Sequence, residues 1–202
     1  MLFRFCFSLS ASLFMQRKLI VRNMTREKLI QILEESNRER LFLLDEVKAL
    51  DAENLTAKPQ PDLWSILEIV EHLVVAEKEV LSNLPDPVQL IEQKRNLRDR
   101  LTYPVVMFVL KYNVRVPVPS PTMLPKGLMP LPDLLKEWEV TQKWLKSLIE
   151  TLEPQDFNKP VFSHPVAGGL TVTQAVLMGH LHLKTHARQI RKRRLTQTPT
   201  LG

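Results

Sequence analysis

Three of the five histidines, His180, His182 and His186, fall within seven residues of one another. On a helix, His182 and His186 stand one turn apart, about 40° around the axis, with Cβ atoms about 5–6 Å apart. Two imidazoles placed in this way can share one divalent cation at about 2.0–2.1 Å each. His180 lies about 200° from His182 and cannot join them while the helix stays regular. An i, i+4 pair alone does not make a centre, so a third ligand must come from a distant segment. His72 is the candidate, beside Ile69, Leu73 and Val74 on a stripe expected to face inward. The alternative for it is a core histidine satisfied by hydrogen bonds. Glu71-His72 does not open a zinc-protease helix, because residues 75 and 76 are Val and Ala.

Three neutral imidazoles leave a divalent metal its full charge and open coordination positions, the arrangement of a catalytic rather than a structural centre. Such a metal acidifies water towards neutrality and deprotonates a thiol. Three further residues stand near enough in sequence to matter. Gln189, one turn beyond His186, either steadies a ligand or is a helix-surface amide. Glu68, one turn before His72, is a supporting or basic group or, the preferred reading, part of a helix cap. His164 is a structural loop residue or lines the pocket.

Four helical stretches must position these side chains. Residues 25–50 carry Leu29, Ile32, Leu33, Leu41, Leu44, Val47 and Leu50 at helical spacing, with Thr25 as cap. Pro59 and Pro61 break the pattern. A second helix opens at Ser65, with Glu68 completing a capping box, and runs to about Leu84. A third starts near Pro132-Asp133 and ends at Pro154. A loop over 155–170 leads to a fourth, which opens with the capping box of Thr171 and Gln174 and runs to about Arg194. Between the second and third, residues 85–132 hold nine of the fifteen prolines, so long regular structure is not expected after Val114. Within that crossover, Tyr103 to Tyr112 is an apolar patch, read as a short buried helix or strand or as a pocket lid or dimer surface. The expected fold is all-α, a four-helix bundle with a long Pro-rich crossover between its second and third helices.

Composition narrows the function further. The lone cysteine, Cys6, excludes an intramolecular disulfide and a cysteine-based zinc finger. The formal charge of +6 comes from the ends: residues 1–23 and 188–194 hold nine basic and no acidic residues. Residues 24–187 keep 19 basic against 22 acidic residues, a net of −3. A mildly acidic body does not suit nucleic acid. Phe5 to Met15 is apolar but too short to span a membrane. Residues 1–23 are therefore expected to be an extension outside the fold, an export signal being the alternative. Residues 24–195 are expected to form the domain, in the cytoplasm, and 196–202 a flexible tail.

Trp64-Ser65, Glu71-His72-Leu73 and His182-x-x-x-His186-x-x-Gln189-Ile190 together resemble the DinB-like superfamily, as do His164-Pro165 and Gly168-Gly169-Leu170-Thr171. The resemblance spans about residues 25–194 apart from 85–130. It implies an up-down-down-up bundle and a divalent metal, usually nickel or zinc, bound by His72, His182 and His186. It also implies a homodimer. Some members use low-molecular-weight thiols such as bacillithiol or mycothiol. The expectation is thus a metal-dependent thiol S-transferase or hydrolase acting on a small molecule through a metal-activated thiolate or water. A non-catalytic metal- or ligand-binding bundle is the alternative. No nucleic-acid or membrane partner is expected.

Overall fold

A computed structural model describes residues 24–82, 90–114, 116–118 and 120–197. In chain order these form α1 (Arg26–Lys48), α2 (Ala52–Thr56), α3 (Ile66–Ser82), α4 (Leu97–Lys111), α5 (Leu131–Thr151), β1 (Pro160–His164), β2 (Gly168–Thr171) and α6 (Val172–Gln197). Side-chain caps set most of the helix starts. Thr25 Oγ1 accepts from Lys28 N, and Asp51 Oδ1 accepts from Asn54 N at 2.7 Å. Both expected capping boxes are present. Ser65 Oγ accepts from Glu68 N while Glu68 Oε2 accepts from Ser65 N, and Thr171 and Gln174 exchange the same pair of bonds.

Pairs of contacting residues fix the direction of each long helix. Ser36 meets His180 while Glu46 meets Arg194, so α1 and α6 run parallel. Ser65 meets Arg193 while His72 meets His182, so α3 runs against α6. Arg26 meets Leu152 while Arg40 meets Trp138, so α5 runs against α1. The order is up-down-down-up. Around the bundle α1 touches α5 and α6, and α3 touches the same two helices. Two consecutive helices pointing the same way oblige the chain to travel back along the bundle between them, which is why the crossover is long.

The crossover departs from expectation in its middle. Its apolar patch belongs to a 15-residue helix, α4, that begins at Leu97 under an Asn96–Asp99 capping box and tolerates Pro104 inside. None of its residues is fully buried. Tyr103, Val106, Met107 and Leu110 pack on the core, whereas Leu101, Val105 and Phe108 are exposed. The helix is therefore half-buried, because it lies over the bundle rather than inside it. Asn113 ends it at φ 51°, with Val114 N donating back to Val109 O. Between Val114 and α5 the only regular piece among the described residues is the 3₁₀ turn Pro121–Met123.

Two other boundaries differ, and some expectations lie outside the described residues. The stretch 155–170 is not simply a loop: after the 3₁₀ turn Pro154–Asn158, β1 and β2 pair as an antiparallel hairpin. Strands of five and four residues are too short to show a clear period. The turn places Gly168 at φ +64° with its α-carbon against the Asp99 carboxyl, where a side chain has no room. α6 continues to Gln197, into the segment expected to be a tail. α3 is described to Ser82, and the expected continuation to Leu84 lies outside the described residues, as do residues 1–23 and 198–202.

Two apolar cores fill the bundle. One joins Leu29, Leu33, Leu148 and Ile149 to the hairpin through Phe157, Phe162 and Leu170. The other joins Leu43, Val47, Ile69, Leu73, Leu134, Trp138 and Ile190. The basic run of α6 is tied to α1: Arg191 reaches Glu39 and Glu46 at 2.7 and 2.8 Å, and Arg194 reaches Glu46 at 2.6 Å. Part of the charge read as a basic end is thus neutralised within the fold. No helix among the described residues is long and apolar enough to cross a membrane.

Candidate metal centre

The antiparallel packing of α3 and α6 brings His72 against the His182–His186 pair. His182 Nε2 lies 3.2 Å from His72 Nε2 and 3.0 Å from His186 Nε2. One ligating nitrogen from each ring falls within 4.8 Å of the other two. The three rings stand edge-on to one another, with interplanar angles of 72° to 88°. Trp64 packs on the fourth side of His72, its ring 4.8 Å away. His180 takes no part: its Nδ1 lies 2.6 Å from Ser36 Oγ, on the α1 side of the helix.

Hydrogen bonds to the remaining ring nitrogens decide which lone pairs face inward. His72 Nδ1 lies 2.7 Å from the carbonyl oxygen of Met123, which can only accept. His186 Nδ1 lies 2.9 Å from Gln189 Oε1, and Gln189 Nε2 donates to Asn113 Oδ1 at 2.6 Å, which orients the amide. Both Nδ1 atoms therefore carry the proton. Burial lowers the pKa of His72. Burial, with His72 second, brings His186 down to about 3. Burial, followed by His186 and His72, holds His182 well below the usual histidine range. At neutral pH the rings are uncharged, so Nε2 of His72 and of His186 must be bare.

This donor set fits a metal. Nitrogens bound tetrahedrally to one ion at 2.0–2.1 Å are about 3.3–3.4 Å apart. Two bare Nε2 atoms beside a third imidazole cannot all be satisfied by hydrogen bonds among themselves, since His182 can offer a proton to only one of them. A shared cation satisfies all three. The anchoring groups match the usual supporting layer of a histidine metal site, a carbonyl and an amide on the far ring nitrogens.

Both anchors trace back to the crossover. Met123 sits in the Pro121–Met123 turn and is buried. Asn113 follows Tyr112, the C-cap of α4. A third tie comes from Glu71, 3% exposed, whose Oε2 accepts from Gly127 N at 2.7 Å. Sequence reasoning passed over Met123 and Asn113. A backbone carbonyl carries no residue signature, and the one available signal for Asn113 was an Asn just past the apolar patch. Glu71 was noted only as part of a motif.

The other expected residues fall as follows. Gln189 orients His186. Glu68 belongs to the cap: it bonds Ser65, pairs with Lys58 at 2.8 Å, and has no bond to the imidazoles. His164 combines the two roles open to it. Its Nδ1 accepts from Val166 N and Ala167 N at 3.1 and 3.0 Å, closing the hairpin turn, and its ring lines the cavity.

That cavity, about 1330 Å³, opens beside the triad. Its walls are mainly aliphatic, including Val80, Leu81, Leu145 and Val176 from the bundle and Val105, Val109 and Val114 from the crossover. A closed structural metal site has no such space; a reacting one needs it.

A family model described as the DinB superfamily matches residues 25–190. A Bacillus subtilis (strain 168) protein named Uncharacterized protein YuaE is 30% identical over 168 residues, covering 77% of this chain and 93% of that protein. A solved structure described as "Crystal structure of TT2238, a four-helix bundle protein" aligns over 83% of this chain and 99% of its own, at 17% identity and a TM-score of 0.47.

Proposed function

The chain belongs to the DinB superfamily, and from that premise we propose that it is a divalent-metal enzyme, a thiol S-transferase or hydrolase of small molecules. The observation that carries the reading is the convergence of three neutral imidazoles, two with bare Nε2 atoms, on an open cavity. When bound there, nickel or zinc supplies Lewis acidity, lowering the pKa of a thiol or water at the site. The rest of the work belongs to the chain. Met123 and Gln189 hold two imidazoles in the tautomer that presents Nε2. Trp64 and the aliphatic walls keep bulk water from the reacting atoms and hold an apolar substrate body. Of the two reactions, S-transfer suits the cavity better, since its volume accommodates a thiol and an electrophile together. A cytoplasmic location supplies the reduced thiols such a reaction needs.

The proposal extends to a homodimer. Leu97, Leu101, Val105, Phe108 and Tyr112 recur at three- and four-residue intervals on one side of α4, and each is more than half exposed. Monomeric proteins seldom leave such an apolar stripe in water.

The direct test is elemental analysis followed by activity. Purified protein should hold about one divalent metal per chain, and His182→Ala should lose it. Incubating the loaded protein with an electrophile and bacillithiol, mycothiol or glutathione should give a conjugate by mass spectrometry that the variant does not form. Unchanged metal content in His182→Ala rejects the centre. Metal without any conjugate leaves hydrolysis or a binding bundle as the function.

A further inference from the structure

The cavity has a second polar end. Ser36 and Arg40, one turn apart on α1, line it together with Glu77, Trp138, Gln142 and His180. Arg40 is 6% exposed. Its Nε and Nη2 both donate to Asn37 Oδ1, at 3.2 and 2.6 Å, and its guanidinium carbon lies 5.7 Å from the centre of the Trp138 ring. No carboxylate stands within ion-pair distance of it among the described residues.

Glu77 is the nearest candidate partner on the facing helix, and it is already engaged. Trp138 Nε1 donates to one of its oxygens at 3.0 Å and Gln142 Nε2 to the other at 2.6 Å. Burial raises its pKa, with these two donors and Arg40 pulling the other way. Glu77 and Glu139 stabilise the charge of Arg40 from beyond ion-pair distance, and no acceptor among the described residues meets its Nη1. A guanidinium is always charged, and a free edge of one on a cavity wall suits a planar carboxylate that enters the cavity.

From this we infer that the cavity binds an organic carboxylate, its anionic end on Arg40 and its apolar body running towards the histidine triad. The inference rests on the functional reading above and adds a substrate class to it: a carboxylate-bearing small molecule whose reacting atom meets the triad. His72 and Glu77 are five residues apart on α3, about 7–8 Å of rise, which sets the probe length to try at about six carbons. Ala76, buried and lining the cavity between them, keeps that path open.

Hexanoate and its neutral isostere hexanamide are suitable probes, titrated by calorimetry into the full chain with metal and after chelation. Wild type should prefer hexanoate at least tenfold in both states, and Arg40→Met should bring the two within threefold without loss of metal. Two results overturn the inference. One is no preference for the acid in wild type; the other is a preference that vanishes on chelation but survives in Arg40→Met, which would put the carboxylate on the metal. Absence of metal from the protein would instead defeat the enzyme reading while leaving the stripped-protein titration interpretable. Should Arg40→Met fail to fold, unmutated protein gives the same answer through arginine modification. Hexanoate, and not hexanamide, should protect Arg40 from phenylglyoxal as mapped by mass spectrometry, and equal modification with both overturns the assignment.

Discussion

Gln189 joins the imidazole of His186 to the side chain of Asn113, so its amide fixes both a tautomer and a ring orientation. Gln189→Leu keeps the size of the side chain and removes both bonds. Metal affinity should fall about 10- to 100-fold while the helical circular dichroism stays the same; competition with a chromophoric chelator measures it. His164 makes a different prediction. Burial lowers its pKa from 6.5 to about 4, so the folded state resists a proton that the unfolded chain accepts. Its contribution is complete above pH 6.5 and is lost as pH falls towards 4, by at most about 3 kcal/mol, less in practice because the ring is partly exposed. Denaturant unfolding of His164→Asn between pH 7 and 4 should show a shallower pH dependence than wild type. At this scale the His182–His186 pair was legible because four residues on a helix fix a geometry. Met123 was illegible because its contribution to His72 is a main-chain oxygen, common to every residue type.

Two of the long helices were readable at their starts. Ser65–Glu68 and Thr171–Gln174 mark their own starts, and both boxes form as the residues imply. α4 was harder to place. Pro104 inside it and apolar residues on both of its sides hide any single stripe, since one side meets the core and the other meets water. The hairpin was hidden by its brevity. The exposed side of α4 gives the test of self-association: Phe108→Glu puts a charge in the middle of the apolar stripe without touching the buried side. Light scattering after gel filtration should read a dimer for wild type and a monomer for the variant. A monomeric wild type would remove the dimer from the proposal.

Across the molecule, the cavity separates two cores. Leu33, Leu145 and Val176 face it from the core that includes the hairpin, and Leu73, Trp138 and Leu183 from the other. A bundle hollow at its middle lacks apolar contacts there, and on the proposed reading a cation joining α3 to α6 offsets part of that loss. A metal that binds only the folded state at a thousandfold excess over its Kd stabilises by about 4 kcal/mol. For a chain of this length the melting temperature should rise by about 10 °C. Scanning fluorimetry should show that rise when metal is returned to chelated wild type, and none in His182→Ala. The up-down-down-up order was inferable from family likeness alone; helix directions leave no mark on composition or periodicity. The order has a temporal side as well. His182 follows His72 by 110 residues, so the ribosome completes α3 and the whole crossover before either partner imidazole exists. Until then the chain carries only one member of the triad, and on the proposed reading a metal centre waits for α6 to be made.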